Sequence, residues 1–102
     1  MAALVPQMPF VYMFRCSDGT FYVGHTDNLA ARIESHQAGT DSTYTAARRP
    51  VEPVYRETHR SLDSAVARER QLKRWSAAKK EALVAGDYAR LKQLAKRRAH
   101  SR

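Results

Sequence analysis

An α+β fold, a small antiparallel sheet covered by helices, follows from three observations in these 102 residues. Two short runs rich in β-formers, Phe10–Cys16 and Thr20–His25, are joined by turn chemistry at Ser17-Asp18-Gly19. A third extended run, Val51–Glu57, stands apart from them. Everything after it reads as helices with their own start and stop signals, so the order is ββα–β–αα with a further C-terminal helix.

The first two runs form a β-hairpin, with Gly19 supplying a positive φ. The length of its loop decides which side chains share a face. A three-residue loop sets Tyr12 opposite Gly24 and Phe14 opposite Tyr22, so both tyrosines lie on one face; a two-residue loop parts them. Gly24 opposite Tyr12 would leave room for a ligand at the backbone. Thr26 or Asp27 can cap the helix that follows, Leu29, Ile33 and His36 share one side of it, and Gly39 stops it. Thr40 to Pro50 is polar, then basic, and reads as a loop. Val51–Glu57 alternates like a strand, and Pro53 assigns it to a sheet edge or a bulge. Ser61 caps a helix from Leu62 to about Arg74, Ser76 caps one ending at Gly86, and Asp87 caps a last one striped by Tyr88, Leu91, Leu94 and Ala95. From Lys96 the chain is basic and is expected to fray.

The length allows one domain with one modest core. A single cysteine excludes an internal disulfide and a metal cage built of Cys alone. No apolar run is long enough to span a membrane, and Met1–Pro9 lacks the basic-then-apolar order of a signal peptide, so a cytoplasmic location is expected. The net charge of +8 is uneven: residues 1–57 carry −1 and residues 58–102 carry +9. That asymmetry points to a polyanion, nucleic acid ahead of a membrane, although basic helices can also serve solubility alone.

Helical spacing makes some residues conspicuous. On the helix from Leu62, the residues Leu62, Ala65, Val66 and Leu72 mark the apolar face, and Glu69 falls near its centre with Lys73 one turn on. A lone buried carboxylate is costly. Two readings are open: an internal Glu69–Lys73 pair, or one carboxylate ligand for a hard divalent cation at a cleft. His36 within an apolar stripe can be a satisfied core histidine or a group that binds a phosphate or a water. Arg32 beside it can be a rim residue or a phosphate clamp. Tyr12 and Tyr22 can be mere packing aromatics.

Taken in order, these residues resemble the GIY-YIG nuclease superfamily. The first motif stands as Phe10-Val11-Tyr12, the second as Tyr22-Val23-Gly24. The arginine helix (Asn28 to His36) and the glutamate helix (Ala65 to Lys73) follow at the family's spacing. Tyr44-Thr45 through Arg48-Arg49-Pro50 looks like the small, stand-alone bacterial subfamily. Phe10 replaces a glycine and Val23 an isoleucine, both acceptable in a strand. The resemblance implies a three-stranded antiparallel sheet flanked by helices, spanning residues 9–85 as a nuclease domain, with 86–102 as a basic C-terminal helix or tail.

The same resemblance implies a metal-dependent endonuclease that hydrolyses phosphodiester bonds in DNA, including structured or damaged DNA in repair or recombination. Its cofactor would be Mg²⁺ or Mn²⁺, with Glu69 as the metal ligand. Arg32 would stabilise charge developing on the phosphate. Tyr12 would activate the attacking water as base or within the base's hydrogen-bond network, Tyr22 would hold phosphate or water, and His36 would assist. Thr45 and Lys73 are secondary candidates. Arg68, Arg70, Arg74, Lys79 and Lys80 read as a salt-sensitive track for a phosphate backbone, with DNA ahead of RNA. The alternative is a non-catalytic nucleic-acid-binding module or adaptor in a DNA-processing complex. A protein partner or a homodimer is left open.

Overall fold

The computed structural model describes residues 8–100, with side chains described as far as residue 96. Its elements are β1 (Phe10–Arg15), β2 (Phe21–Thr26), α1 (Leu29–Ala38), α2 (Thr43–Ala46), β3 (Glu52–Thr58), α3 (Leu62–Lys73), α4 (Ala77–Ala85) and α5 (Tyr88–His100). The strands make one antiparallel sheet in the order β2-β1-β3. The fold is therefore α+β, three strands flanked by helices, as the residues and the resemblance both lead one to expect.

The hairpin turn decides the register. Cys16 N–H donates to the Thr20 carbonyl at 2.8 Å, and Gly19 N–H donates back to the Cys16 carbonyl at 2.9 Å. The Asp18 carboxylate accepts from the Thr20 N–H and hydroxyl, and Gly19 sits at φ 85°, a region that favours glycine. This is the three-residue loop: Tyr12 faces Gly24 and Phe14 faces Tyr22. On the other side of β1, β3 occupies a sheet edge and carries an irregularity between Met13 and Phe14, where Pro53 lies opposite Phe14. Pro53 thus uses both arrangements that a strand proline tolerates.

Because side chains alternate along β1, one strand feeds two clusters. Val11 and Met13 join Val23, Ala65, Leu72 and Leu83 in an apolar cluster beneath α3 and α4, with Trp75 and Leu91 packed against it. Tyr12, Phe14 and Cys16 join Val51 in the other, packed by Tyr22, Leu29, Ile33 and Tyr44 from the side of α1 and α2. Arg15 clamps Glu81 through two parallel hydrogen bonds of 2.7 and 2.8 Å, tying α4 to the end of β1.

The serines at 61 and 76 cap α3 and α4, their hydroxyls accepting from the N–H groups of Ser64 and Lys79. The Asp87 carboxylate accepts from Arg90 N–H at 3.0 Å at the start of α5. Four expectations change. The cap of α1 is Asn28, not Thr26 or Asp27, because the Thr26 hydroxyl is engaged with the Asn28 backbone and the helix starts one residue later. The segment read as a loop contains α2, capped by Ser42. Leu62 is 59% exposed and so stands outside the buried face of α3. Tyr88 is also exposed and not part of a buried stripe. The expectations for residues 1–7 and for the side chains of 97–102 lie outside the described residues. Among the described residues, no helix is long and apolar enough to cross a membrane.

Candidate active site

The hairpin register sets the first part of the site. Tyr12, Phe14 and Tyr22 share a face, and α1 lays His36 against all three rings, with centroids 4.7–6.0 Å away. The space beside Gly24 is not held open for a ligand, which corrects that expectation: the Tyr12 ring fills it, and a Cβ at position 24 would stand 2.6 Å from Tyr12 Cζ. Gly24 serves to let Tyr12 lie flat on the strand. Burial pushes the Tyr12 phenol well above its ordinary pKa of 10; the neighbouring Tyr22, Asp41 and Glu69 add to the rise and Arg32 opposes it. Tyr12 is therefore a protonated phenol, suited to donating a hydrogen bond and not to acting as a free phenolate base.

Asp41 organises the polar side of this cluster. Its carboxylate accepts from Arg32 Nη1 at 3.1 and 3.2 Å and from the Ser35 hydroxyl at 3.1 Å, and it lies 3.1 Å from His36 Nε2. His36 Nε2 is also 3.2 Å from the Tyr12 hydroxyl, and Nδ1 is 2.7 Å from Thr45 Oγ1. Burial holds His36 below its ordinary pKa; Asp41 acts against that and Arg32 with it. A neutral ring has one proton, and a carboxylate beside Nε2 calls for it there. Nε2–H then donates to the Tyr12 oxygen with the Asp41 carboxylate beside it as a counter-charge, and Nδ1 accepts from the Thr45 hydroxyl. Thr45 is fully buried, so it positions His36 and does not touch substrate, a second correction. With His36 donating to the Tyr12 oxygen, the phenolic proton points elsewhere.

Glu69 lies on the other side of β2. His25, opposite Val11 in the register, shares the face covered by α3, and its Nδ1–H donates to Glu69 Oε1. Lys73 Nζ donates to Oε2 at 2.7 Å. Burial alone would raise the Glu69 carboxyl, but Lys73 and His25 together carry it below its ordinary value, so it is ionised at neutral pH. The carboxylate is 16% exposed and the Lys73 ammonium 55%. The internal pair foreseen at this spacing is thus formed, but it is wet and open on the lysine side.

The two halves meet along the edge of β2, which no strand covers. Tyr22, Lys73 and Lys80 line a depression of about 390 Å³ there, together with Tyr44. Toward the end of the strand, His25 and Arg32 line another of about 430 Å³ with Thr26 and Arg60. Arg32, 39% exposed, gives only Nη1 to Asp41 and keeps the rest of its fork for an anion. Of the basic track, Arg70, Arg74 and Lys79 border a further depression around Trp75. Arg68 does not belong to the track: its Nε donates to Glu57 at 3.0 Å and Nη1 to Gln71 at 2.7 Å, so it fastens α3 to β3.

Comparison with known proteins places this geometry. Residues 8–82 match the model of the GIY-YIG catalytic domain. The chain belongs to the GIY-YIG family. A UPF0213 protein of Natronomonas pharaonis is 44% identical over 78 residues, which is 76% of this chain and 92% of that one. A UPF0213 protein of Staphylococcus aureus is 40% identical over 75 residues, 74% and 92% of the two chains. The solution NMR structure of the UPF0213 protein BH0048 from Bacillus halodurans shares 35% identity, with a TM-score of 0.51 over 76% of this chain and 83% of that one. A GIY-YIG catalytic domain implies nuclease-type activity on nucleic acid, and such nucleases are in general divalent-metal dependent.

Two residues of this GIY-YIG site escape the sequence reading. His25 was signalled by strand alternation, because one residue past Gly24 it must face the Glu69 side. Asp41 had no local signal, since only the folding back of the segment after Gly39 brings it to Arg32 and His36. For the cation of a GIY-YIG enzyme, no group of three or more His, Cys, Asp or Glu capable of holding a metal occurs among the described residues. The donor set does fit one hard cation bound through a single carboxylate, the rest of its shell being water and substrate oxygen. Glu69 would hold it once Lys73, already half in solvent, turns aside.

Proposed function

We propose that this chain is a divalent-metal-dependent endonuclease of DNA, using Mg²⁺ or Mn²⁺ and working in the cytoplasm on structured or damaged DNA in repair or recombination. The observation that carries the reading is that the two halves share depressions at the uncovered edge of β2: Arg32 of the polar network lines one with His25, and Tyr22 lines another with Lys73, His25 and Lys73 being the partners of Glu69. A cation there would polarise a phosphoryl oxygen. Arg32 binds non-bridging oxygens with the part of its fork that Asp41 leaves, and Asp41 keeps that fork in place. Tyr12, protonated and buried against His36, backs the network from beneath and so helps to fix where Arg32 meets the phosphate. Tyr22 and Lys80 hold the adjoining phosphate. Such contacts carry no base information and depend on salt.

The deciding experiment is cleavage of branched, flapped, single-stranded and duplex DNA with Mg²⁺ or Mn²⁺ by wild type and Glu69→Ala. Wild type is expected to cut at least one of these, and Glu69→Ala to fall by about 10²-fold or more, of the order seen when one electrostatic group is removed from an active site. Wild type that cuts nothing, or a variant that cuts equally well, overturns the reading. The Lys73 and His25 pairing on Glu69 favours one second reading, a non-catalytic binding module: binding would then survive Glu69→Ala and weaken with salt.

A further inference from the structure

The only tryptophan of the chain stands outside the site described above. Trp75 follows α3, and part of its ring packs against the apolar cluster. The rest borders a depression of about 430 Å³ shared with Arg70, Gln71, Arg74 and Lys79. Two cations already lie over the ring, Lys79 Nζ 4.5 Å and the Arg68 guanidinium 5.2 Å from its centroid. Arg68 is committed to Glu57, whereas Lys79 has a long stem and no ion-pair partner among the described residues. A half-buried indole face bordered by Arg70, Arg74 and Lys79 matches the chemistry of a flat, electron-rich ring attached to a phosphate.

The position is as informative as the composition. On α3, Arg74 is about 7.5 Å further along the axis than Glu69 and about 140° round it. On α4, the adjacent Lys79 and Lys80 divide between two depressions: Lys79 borders the one at Trp75 and Lys80 the one at Tyr22 and Lys73. Neighbouring lysines on one helix thus border both the depression at the edge of β2 and the one at Trp75.

We propose that Trp75, with Arg70, Arg74 and Lys79, binds an unpaired nucleotide flanking the phosphate held at Arg32. The base stacks on the indole where Lys79 now lies, and Lys79 turns to the nucleotide's phosphate with Arg74. Stacking is open to any base, so the site selects for lack of pairing and not for sequence. A base inside a duplex is stacked on its neighbours and cannot offer its face. This rests on the reading of nucleic acid as substrate and adds the class of substrate: DNA with a single-stranded stretch beside the cut.

Trp75 is its own reporter. The full chain is titrated without metal, in EDTA, with a deoxythymidine oligonucleotide of about ten residues, with a blunt duplex at equal phosphate, and with inorganic phosphate, following tryptophan emission. A labelled oligonucleotide gives binding independently by anisotropy. The single strand is expected to quench and saturate, the duplex to quench several-fold less, and phosphate not at all. Arg74→Glu is expected to weaken the quenching titration about tenfold, and Arg90→Glu, an equal charge change on the exposed side of α5, to leave it within about twofold. Anisotropy without quenching, equal quenching by duplex, or quenching by phosphate alone overturns the nucleotide site. Quenching retained by a chain that cuts no DNA overturns the endonuclease reading and leaves this site standing.

Discussion

The two faces of β1 share a backbone and differ in everything else. Val11 and Met13 on one side join an apolar cluster with groups from β2, α3 and α4, the His25–Glu69 pair standing on the same face. Tyr12 on the other side meets a buried histidine, and through it a threonine and a carboxylate. Dispersion and removal of apolar area hold the first face, and its parts tolerate no loss of volume. Hydrogen bonds that must all be made hold the second, and its parts tolerate no loss of a partner. The apolar face holds the fold at its centre and keeps its functional group, Glu69, at the margin beside His25. The polar face keeps its functional groups inside the packing itself.

Truncation on the apolar face gives the largest effect on stability. Met13→Ala is expected to lower the unfolding free energy by about 2–5 kcal/mol in urea titrations, while cleavage per folded molecule stays within a few-fold. Cleavage lost in proportion to no unfolding would break the division between the faces. Gly24→Ala tests the other face. Its Cβ drives the Tyr12 ring off the strand, which costs about 1–3 kcal/mol by overpacking, and here cleavage should fall well beyond the fraction unfolded.

The smallest effect sharpens the picture at the rim of the apolar side. Burial alone would raise the Glu57 carboxyl, but donors from Tyr55, His59 and Arg68 carry it below its ordinary 4.5. A depressed carboxylate contributes stability that is full above 4.5 and is lost as pH falls through the folded value, because the unfolded chain then takes up the proton first. Melting temperature should therefore drop on acidification below about pH 4.5, and less steeply in Glu57→Gln. An equal slope in both proteins would remove Glu57 from the acid response.

How much of this could be read from the chain varies with the range of the cause. Ser61, Ser76 and Pro53 act within a turn or a strand, and each does what its type predicts. Glu69 was conspicuous because a carboxylate at the centre of an apolar stripe breaks a periodic rule. The hairpin loop was ambiguous by one residue, which flips a whole face, and only the paired Asp18 and Thr20 resolve it. The start of α1 was missed by one or two residues because Thr26, Asp27 and Asn28 are all capping types. Helix α2 is too short to show a period, and Asp41 and Thr45 acquire their roles only when the fold brings them to Arg32 and His36.

The order β2-β1-β3 also bears on how the molecule assembles. Pairing β1 with β2 closes residues 16–20, whereas pairing β1 with β3 closes residues 16–51. The longer closure costs about 2 kcal/mol more chain entropy. Arg32, His36, Asp41 and Thr45 all lie inside that longer segment, so the hairpin is the cheaper closure and the polar network belongs to the dearer one.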